Sequence, residues 1–130
     1  MDSNQKIGQV LGELESEIMN IIWEKNQSVS VREVVDALQL QRKIAYTTVM
    51  TIMGRLVDKG ILNREGNGKA FVYKTVYTKD KFLSKTTHLI INNLVSNFGD
   101  IAIAHFAKEV EKITPEKRKR LLELLQEEEK

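Results

Sequence analysis

The sequence predicts a mainly α chain. An α+β module of three helices and a β-hairpin is expected over residues 1–77, and a three-helix region over residues 78–130. Three observations carry this. Apolar residues recur at helical spacing in three segments before residue 60. The pattern then becomes strand-like around Gly66-Asn67-Gly68. From Thr78 onward helical spacing resumes and runs toward the C-terminus.

The first helix is expected from Glu13 to about Asn26. Leu14, Ile18, Ile21 and Ile22 fall on one helical face. Glu13, Glu15 and Glu17 lie in its first turns, where the positive end of the helix dipole favours acids. Asn26-Gln27-Ser28 reads as a loop, and Val29 as a very short strand. Ser30-Val31-Arg32-Glu33 matches the capping box, in which Ser and Glu satisfy each other's backbone N–H groups. A short second helix should follow, with Val31, Val34, Val35 and Leu38 inward, ending near Gln41. The third should begin at Tyr46 or Thr47, with Val49, Ile52, Met53 and Leu56 inward and Gly60 as its stop.

Ile61–Glu65 and Ala70–Thr75 should form the hairpin. Gly66-Asn67-Gly68-Lys69 should connect them, and Asn-Gly is the hairpin-turn signal because both residues tolerate positive φ. Thr78 is placed as N-cap of a long helix reaching Phe98. Gly99 breaks it, Asp100 is placed as cap of the next helix, and Thr114-Pro115 starts the last, with Pro at the first helical position.

The chain has 130 residues, 20 Lys+Arg against 18 Asp+Glu, and no cysteine. Disulfides, thiolate metal sites and a cysteine nucleophile are thereby excluded. The longest uninterrupted apolar runs, Ala70–Tyr73 and Ile101–Ala104, hold four residues, against about 20 for a membrane span. The polar N-terminal stretch has no apolar core of a signal peptide. No membrane insertion and a cytoplasmic location are expected.

Helix, short helix, tight connection, helix, then hairpin is the order of a winged helix-turn-helix. In such a module the third helix enters the DNA major groove and its flanks hold phosphates. Its outward face would carry Thr47, Thr48, Met50, Thr51, Gly54 and Arg55. Threonine can bond phosphates or touch thymine methyls, and arginine binds phosphate or guanine. Arg42, Lys43 and Tyr46 lie at its start, and Arg64, Lys69 and Lys74 on the hairpin. Residues 39–76 carry net +5 and residues 13–36 net −4, so positive charge is concentrated on the elements expected to face DNA. The candidate DNA contacts are therefore Arg42, Lys43, Tyr46, Thr47, Thr48, Met50, Thr51, Arg55, Arg64 and Lys69. Arg32, on the second helix, is expected to matter less than Arg55. Some winged helices bind proteins instead, and a protein-interaction module is the competing reading.

The helices after Thr78 carry large apolar residues on more than one face, such as Leu83 beside Phe82 and Ile91 beside Ile90. A unit of about 50 residues rarely folds alone without disulfides or a metal. A second copy of the chain is the expected cover, with Phe82, Leu89, Leu94, Phe106, Val110, Leu121, Leu124 and Leu125 as candidate dimerisation residues. The alternative is packing on the N-terminal module of the same chain. Lys117-Arg118-Lys119-Arg120 and Glu127-Glu128-Glu129 lie at opposite ends of the last helix, both opposing its dipole. An antiparallel pair of such helices would set each cluster near the other's opposite; the alternative is a solvated charged helix.

No catalytic residue and no cofactor is expected. His88 and His105 are the two histidines, on separate helices, without metal-ligand spacing. Gly66-Asn67-Gly68 lacks the third glycine and following helix of a dinucleotide site. Trp23 and Met19 read as core.

The runs Glu15–Glu24, Val31–Val35 and Ala45–Gly60 closely resemble the penicillinase-repressor (BlaI/MecI-like) family, and the likeness extends from about Leu11 to Glu127. The resemblance implies a homodimeric transcriptional repressor that binds a palindromic operator in double-stranded DNA, in antibiotic-resistance or related regulation. It implies a C-terminal region intertwined with the partner. It also implies a membrane sensor metallopeptidase as the partner that triggers release, by cleavage before the Phe of an Asn-Phe-Ala-Lys stretch. The matching stretch here is His105-Phe106-Ala107-Lys108, with His in place of Asn, so His105 and Phe106 are the candidate cleavage residues. A different inducing signal is the alternative. The copper-responsive branch of the family uses C-terminal cysteines, which this chain lacks.

Overall fold

The computed structural model describes residues 11–67 and 70–128. Among these the elements are α1 (Glu13–Lys25), α2 (Val31–Gln39), α3 (Tyr46–Asp58), β1 (Leu62–Glu65), β2 (Val72–Thr75), α4 (Lys79–Phe98), α5 (Asp100–Lys112) and α6 (Pro115–Glu128). They form two compact units, one of the residues up to Ile90 and one from Ile91 onward. Helix α4 runs through the boundary.

In the N-terminal unit the predicted inward residues make one core. Ile18, Met19 and Ile22 of α1, Val34, Val35 and Leu38 of α2, and Val49, Met53 and Leu56 of α3 are buried together. Leu14, Ile21 and Ile52, also expected inward, are only half-buried at its margin. The capping box of α2 forms as read: Glu33 N–H donates to Ser30 Oγ at 3.1 Å, and Ser30 N–H donates to Glu33 Oε1 at 3.2 Å. Helix α3 ends in a reciprocal backbone cap. Gly60, at φ 79, donates to the Val57 carbonyl, and Ile61 N–H donates to the Leu56 carbonyl, both at 3.0 Å. That turn leads the chain directly into β1.

Strands β1 and β2 pair antiparallel, with Leu62 opposite Thr75 and Arg64 opposite Tyr73. Val29 adds a single bridge, its N–H and carbonyl bonded to Tyr73 at 2.9 and 2.7 Å. It is a bridge and not a strand. Both strands are shorter than predicted: β1 starts at Leu62 and not Ile61, and β2 at Val72 and not Ala70. Gly66 takes φ 112, and a Cβ there would lie 2.3 Å from the Ala70 carbonyl oxygen. Ala70 N–H donates to the Asn67 carbonyl at 3.1 Å. The expected turn residue Gly68 lies outside the described residues.

Thr78 caps α4 through Lys81 N–H at 3.1 Å, and Thr114 caps α6 through Lys117 N–H at 3.3 Å. Asp100 is not the cap of α5 as expected. Gly99 holds that position and Asp100 is the first helical residue, where its charge favours the helix dipole. Phe82 likewise departs from its expected place in a dimer contact. It is 3% exposed, and its ring lies 5.5 Å from that of Trp23, so it closes the N-terminal core. Trp23 Nε1 donates to the Tyr77 carbonyl at 2.9 Å and fixes the chain's entry into α4.

The C-terminal unit is different in kind. Among its described residues none is buried. Phe98, Ile101, Ile103 and Phe106 are each more than half exposed. Leu94, Phe98, Ile101, His105 and Phe106 line an open groove of about 450 Å³. The Leu125 side chain lies outside the described residues.

Candidate nucleic-acid interface

With Val49, Met53 and Leu56 buried, helix α3 turns its other face outward. Thr47, Thr48, Met50, Thr51 and Arg55 are exposed, and so are Arg42 and Lys43 in the preceding turn. Residues 47, 50, 51 and 54 fall on one helical stripe. A Cβ at Gly54 would meet nothing within 4 Å. Glycine there leaves the helix backbone open to a close approach, at a cost of about 0.5–1 kcal/mol relative to alanine.

The start of α3 has no side-chain cap. Its N-cap is Ala45, which has no side chain to bond the first N–H groups. Helices α2, α4 and α6 are capped by Ser30, Thr78 and Thr114, whereas α1 and α5 start after glycines and, like α3, have no side-chain cap. The exposed start of α3 thus presents unsatisfied N–H groups and the positive end of a 13-residue helix, which is an anion-binding arrangement.

Hydrogen bonding and strand register add detail at Thr51, Arg64 and Lys74. The Thr51 hydroxyl donates to the Thr47 carbonyl at 2.9 Å, so outward it offers acceptor lone pairs and a methyl group. Arg64 and Lys74 occupy opposite faces of the hairpin, since Arg64 pairs with Tyr73 and Lys74 with Asn63. The Arg64 guanidinium lies over Phe71, 4.6 Å from the ring centre. Lys69 lies outside the described residues.

Sequence reading missed three tertiary contacts at this face. The Arg32 guanidinium sits 4.8 Å over the Tyr46 ring. Glu17 of α1 accepts from Arg42 Nη1 at 2.7 Å. Glu15 accepts from Lys59 Nζ at 2.8 Å, tying the start of α1 to the end of α3. None of these pairs is within helical reach in sequence, and the surplus of acids on α1 was the only available signal.

Burial alone would push the Glu15 carboxyl up. The hydrogen bonds from Lys59 and the Gly12 N–H, with the charges of Lys59 and Arg55, outweigh it and hold the pKa below 4.5. A depressed carboxylate pKa contributes stability that is fully present above the unfolded value and lost as pH falls through the folded one. Glu15→Gln is therefore expected to lower stability near neutral pH and to flatten the acid limb below about pH 4.5. Urea unfolding at a series of pH values checks this; parallel acid limbs for both proteins would contradict it.

Among the described residues no cluster of His, Cys, Asp or Glu could hold a metal ion, and no helix is long and apolar enough to cross a membrane.

The model of the penicillinase repressor family matches residues 11–127. The transcriptional regulator BlaI of Mycobacterium tuberculosis is 32% identical over 104 residues, which cover 77% of this chain and 73% of that protein. The penicillinase repressor of Bacillus licheniformis is 27% identical over 123 residues, covering 95% and 94%. Among solved structures, the solution structure of the DNA-binding domain of the repressor BlaI is similar at 32% identity, with a TM-score of 0.47. It covers 53% of this chain and 83% of that one.

Proposed function

Because the chain belongs to the penicillinase repressor family, we propose that it is a homodimeric repressor that binds a palindromic operator in double-stranded DNA through α3 and the hairpin. Penicillinase repressors are transcriptional repressors and not enzymes. In this reading residues 1–77 bind DNA, residues 78–130 dimerise, and the protein works in the cytoplasm.

The observation that carries the reading is the outward face of α3. It joins Thr47, Thr48, Met50, Thr51 and Arg55 to an uncapped helix start, beside Arg42, Lys43 and Tyr46. Arg64 and Lys69 on the hairpin would hold phosphates on one flank. Dimerisation is supported by the absence of any buried residue among those described from Ile91 on. A folded unit with so much apolar surface needs a cover. Leu89, Leu94, Phe106, Val110, Leu121 and Leu124 remain its candidate contacts, with Leu125, whereas Phe82 is engaged elsewhere. Release would follow cleavage between His105 and Phe106, both exposed on α5, by a membrane sensor metallopeptidase.

Duplex binding should weaken steeply with salt as phosphate contacts release counterions. Arg55→Ala should lower operator affinity by about 1–3 kcal/mol. Fluorescence anisotropy with a labelled duplex measures both. Binding that ignores salt, or an unaffected Arg55→Ala protein, would overturn the assignment of α3 as the DNA-reading helix.

A further inference from the structure

We infer that Glu17 is a specific antagonist of DNA binding built into α1, acting through Arg42 by occupying the guanidinium that a DNA phosphate would otherwise take. This rests on the DNA-binding reading and names a determinant of its strength. Arg42 stands in the turn just before α3, and its Nη1 meets Glu17 Oε2 at 2.7 Å. Among the described residues, Arg42 is the only candidate DNA contact with a carboxylate partner. Lys43, Arg55 and Arg64 have no ion pair there.

The pair is built to be exchanged rather than locked. Its side chains are 44% and 34% exposed for Arg42 and Glu17. Solvated pairs of this kind are weak and screened by salt. The bond uses one of the five N–H donors of the guanidinium. A phosphate oxygen offers that donor the same charge-assisted bond as a carboxylate. Free protein therefore holds Arg42 already neutralised, and DNA must replace one anion by another. Glu17 additionally places a negative charge beside the site where a phosphate would bind. Contrast Lys59: its partner Glu15 is buried more deeply and also accepts from Gly12, so that pair serves the fold.

Glu17→Gln keeps the shape and removes the charge. With the full chain and a short mixed-sequence duplex at low salt, we expect affinity to rise by roughly 3- to 10-fold. The logarithmic salt slope should steepen by up to about one unit, as for one added phosphate contact. Glu24→Gln, on the same helix and without an ion pair among the described residues, measures the general effect of removing an acid and should change affinity far less. In an Arg42→Ala background, Glu17→Gln should do no more than Glu24→Gln. Lowered affinity in Glu17→Gln would overturn the inference, since Glu17 would then be orienting Arg42 productively. An equal gain in the Arg42→Ala background, or a gain matched by Glu24→Gln, would also overturn it. If the unaltered chain shows no salt-dependent duplex binding, the DNA-binding reading itself fails, a result distinct from the others.

Discussion

Replacing Ile101 with aspartate is expected to yield a monomer with a folded N-terminal unit, whose affinity for a palindromic operator is lower by roughly 10²- to 10⁴-fold. Ile101 is 69% exposed, so the protomer loses little packing of its own. It also stands in the first turn of α5, after Asp100, where an added acid favours the helix dipole. The local helix should survive while the apolar groove gains a charge that no hydrophobic partner surface can solvate. Losing the partner converts one bivalent event into two independent ones, which is the origin of the large factor. Sedimentation equilibrium gives the oligomeric state, circular dichroism the helix content, and anisotropy the affinity. A variant that remains dimeric with unchanged affinity would remove α5 from the interface.

Tyr73→Ala is expected to destabilise the N-terminal unit by about 3–5 kcal/mol. Tyr73 is the largest fully buried side chain, at 1% exposure. Its backbone also receives Val29 on one side, while Arg64 stands opposite in the hairpin. Deleting the ring opens a cavity under the hairpin and against α1. Total stabilities of such domains are about 5–15 kcal/mol, so much of the fold's margin would go. Urea denaturation followed by far-ultraviolet circular dichroism measures the loss. A shift smaller than about 1 kcal/mol would mean that the neighbours collapse into the space.

Where structure depends on nearest neighbours, the sequence was readable. Ser30, Thr78, Thr114 and Gly60 each do the capping work their chemistry announces. The inward residues of α2 and α3 follow from helical period, apart from Ile52 at the core margin. The hairpin was found but its width was not, because a close approach of Gly66 to Ala70 depends on backbone path rather than on residue preference. Phe82 belongs to an apolar stripe with two possible destinations. Periodicity identifies an apolar stripe but does not say which core will receive it, and this side chain goes to Trp23. At the proposed DNA-facing surface the outward residues of α3 were legible as the complement of its buried face. The contacts of Arg32, Arg42 and Lys59 were not, since each joins residues brought together only by packing α1, α2 and α3 into one core.

The packing of Trp23 gives the molecule an internal optical reporter. It is the chain's one tryptophan, with its indole N–H bonded to Tyr77 and its ring against Phe82. Emission should be shifted to the blue by this half-buried setting and should move to the red if the first turns of α4 separate from α1. Unfastening of that helix can thus be followed in the unlabelled protein, with no attached dye.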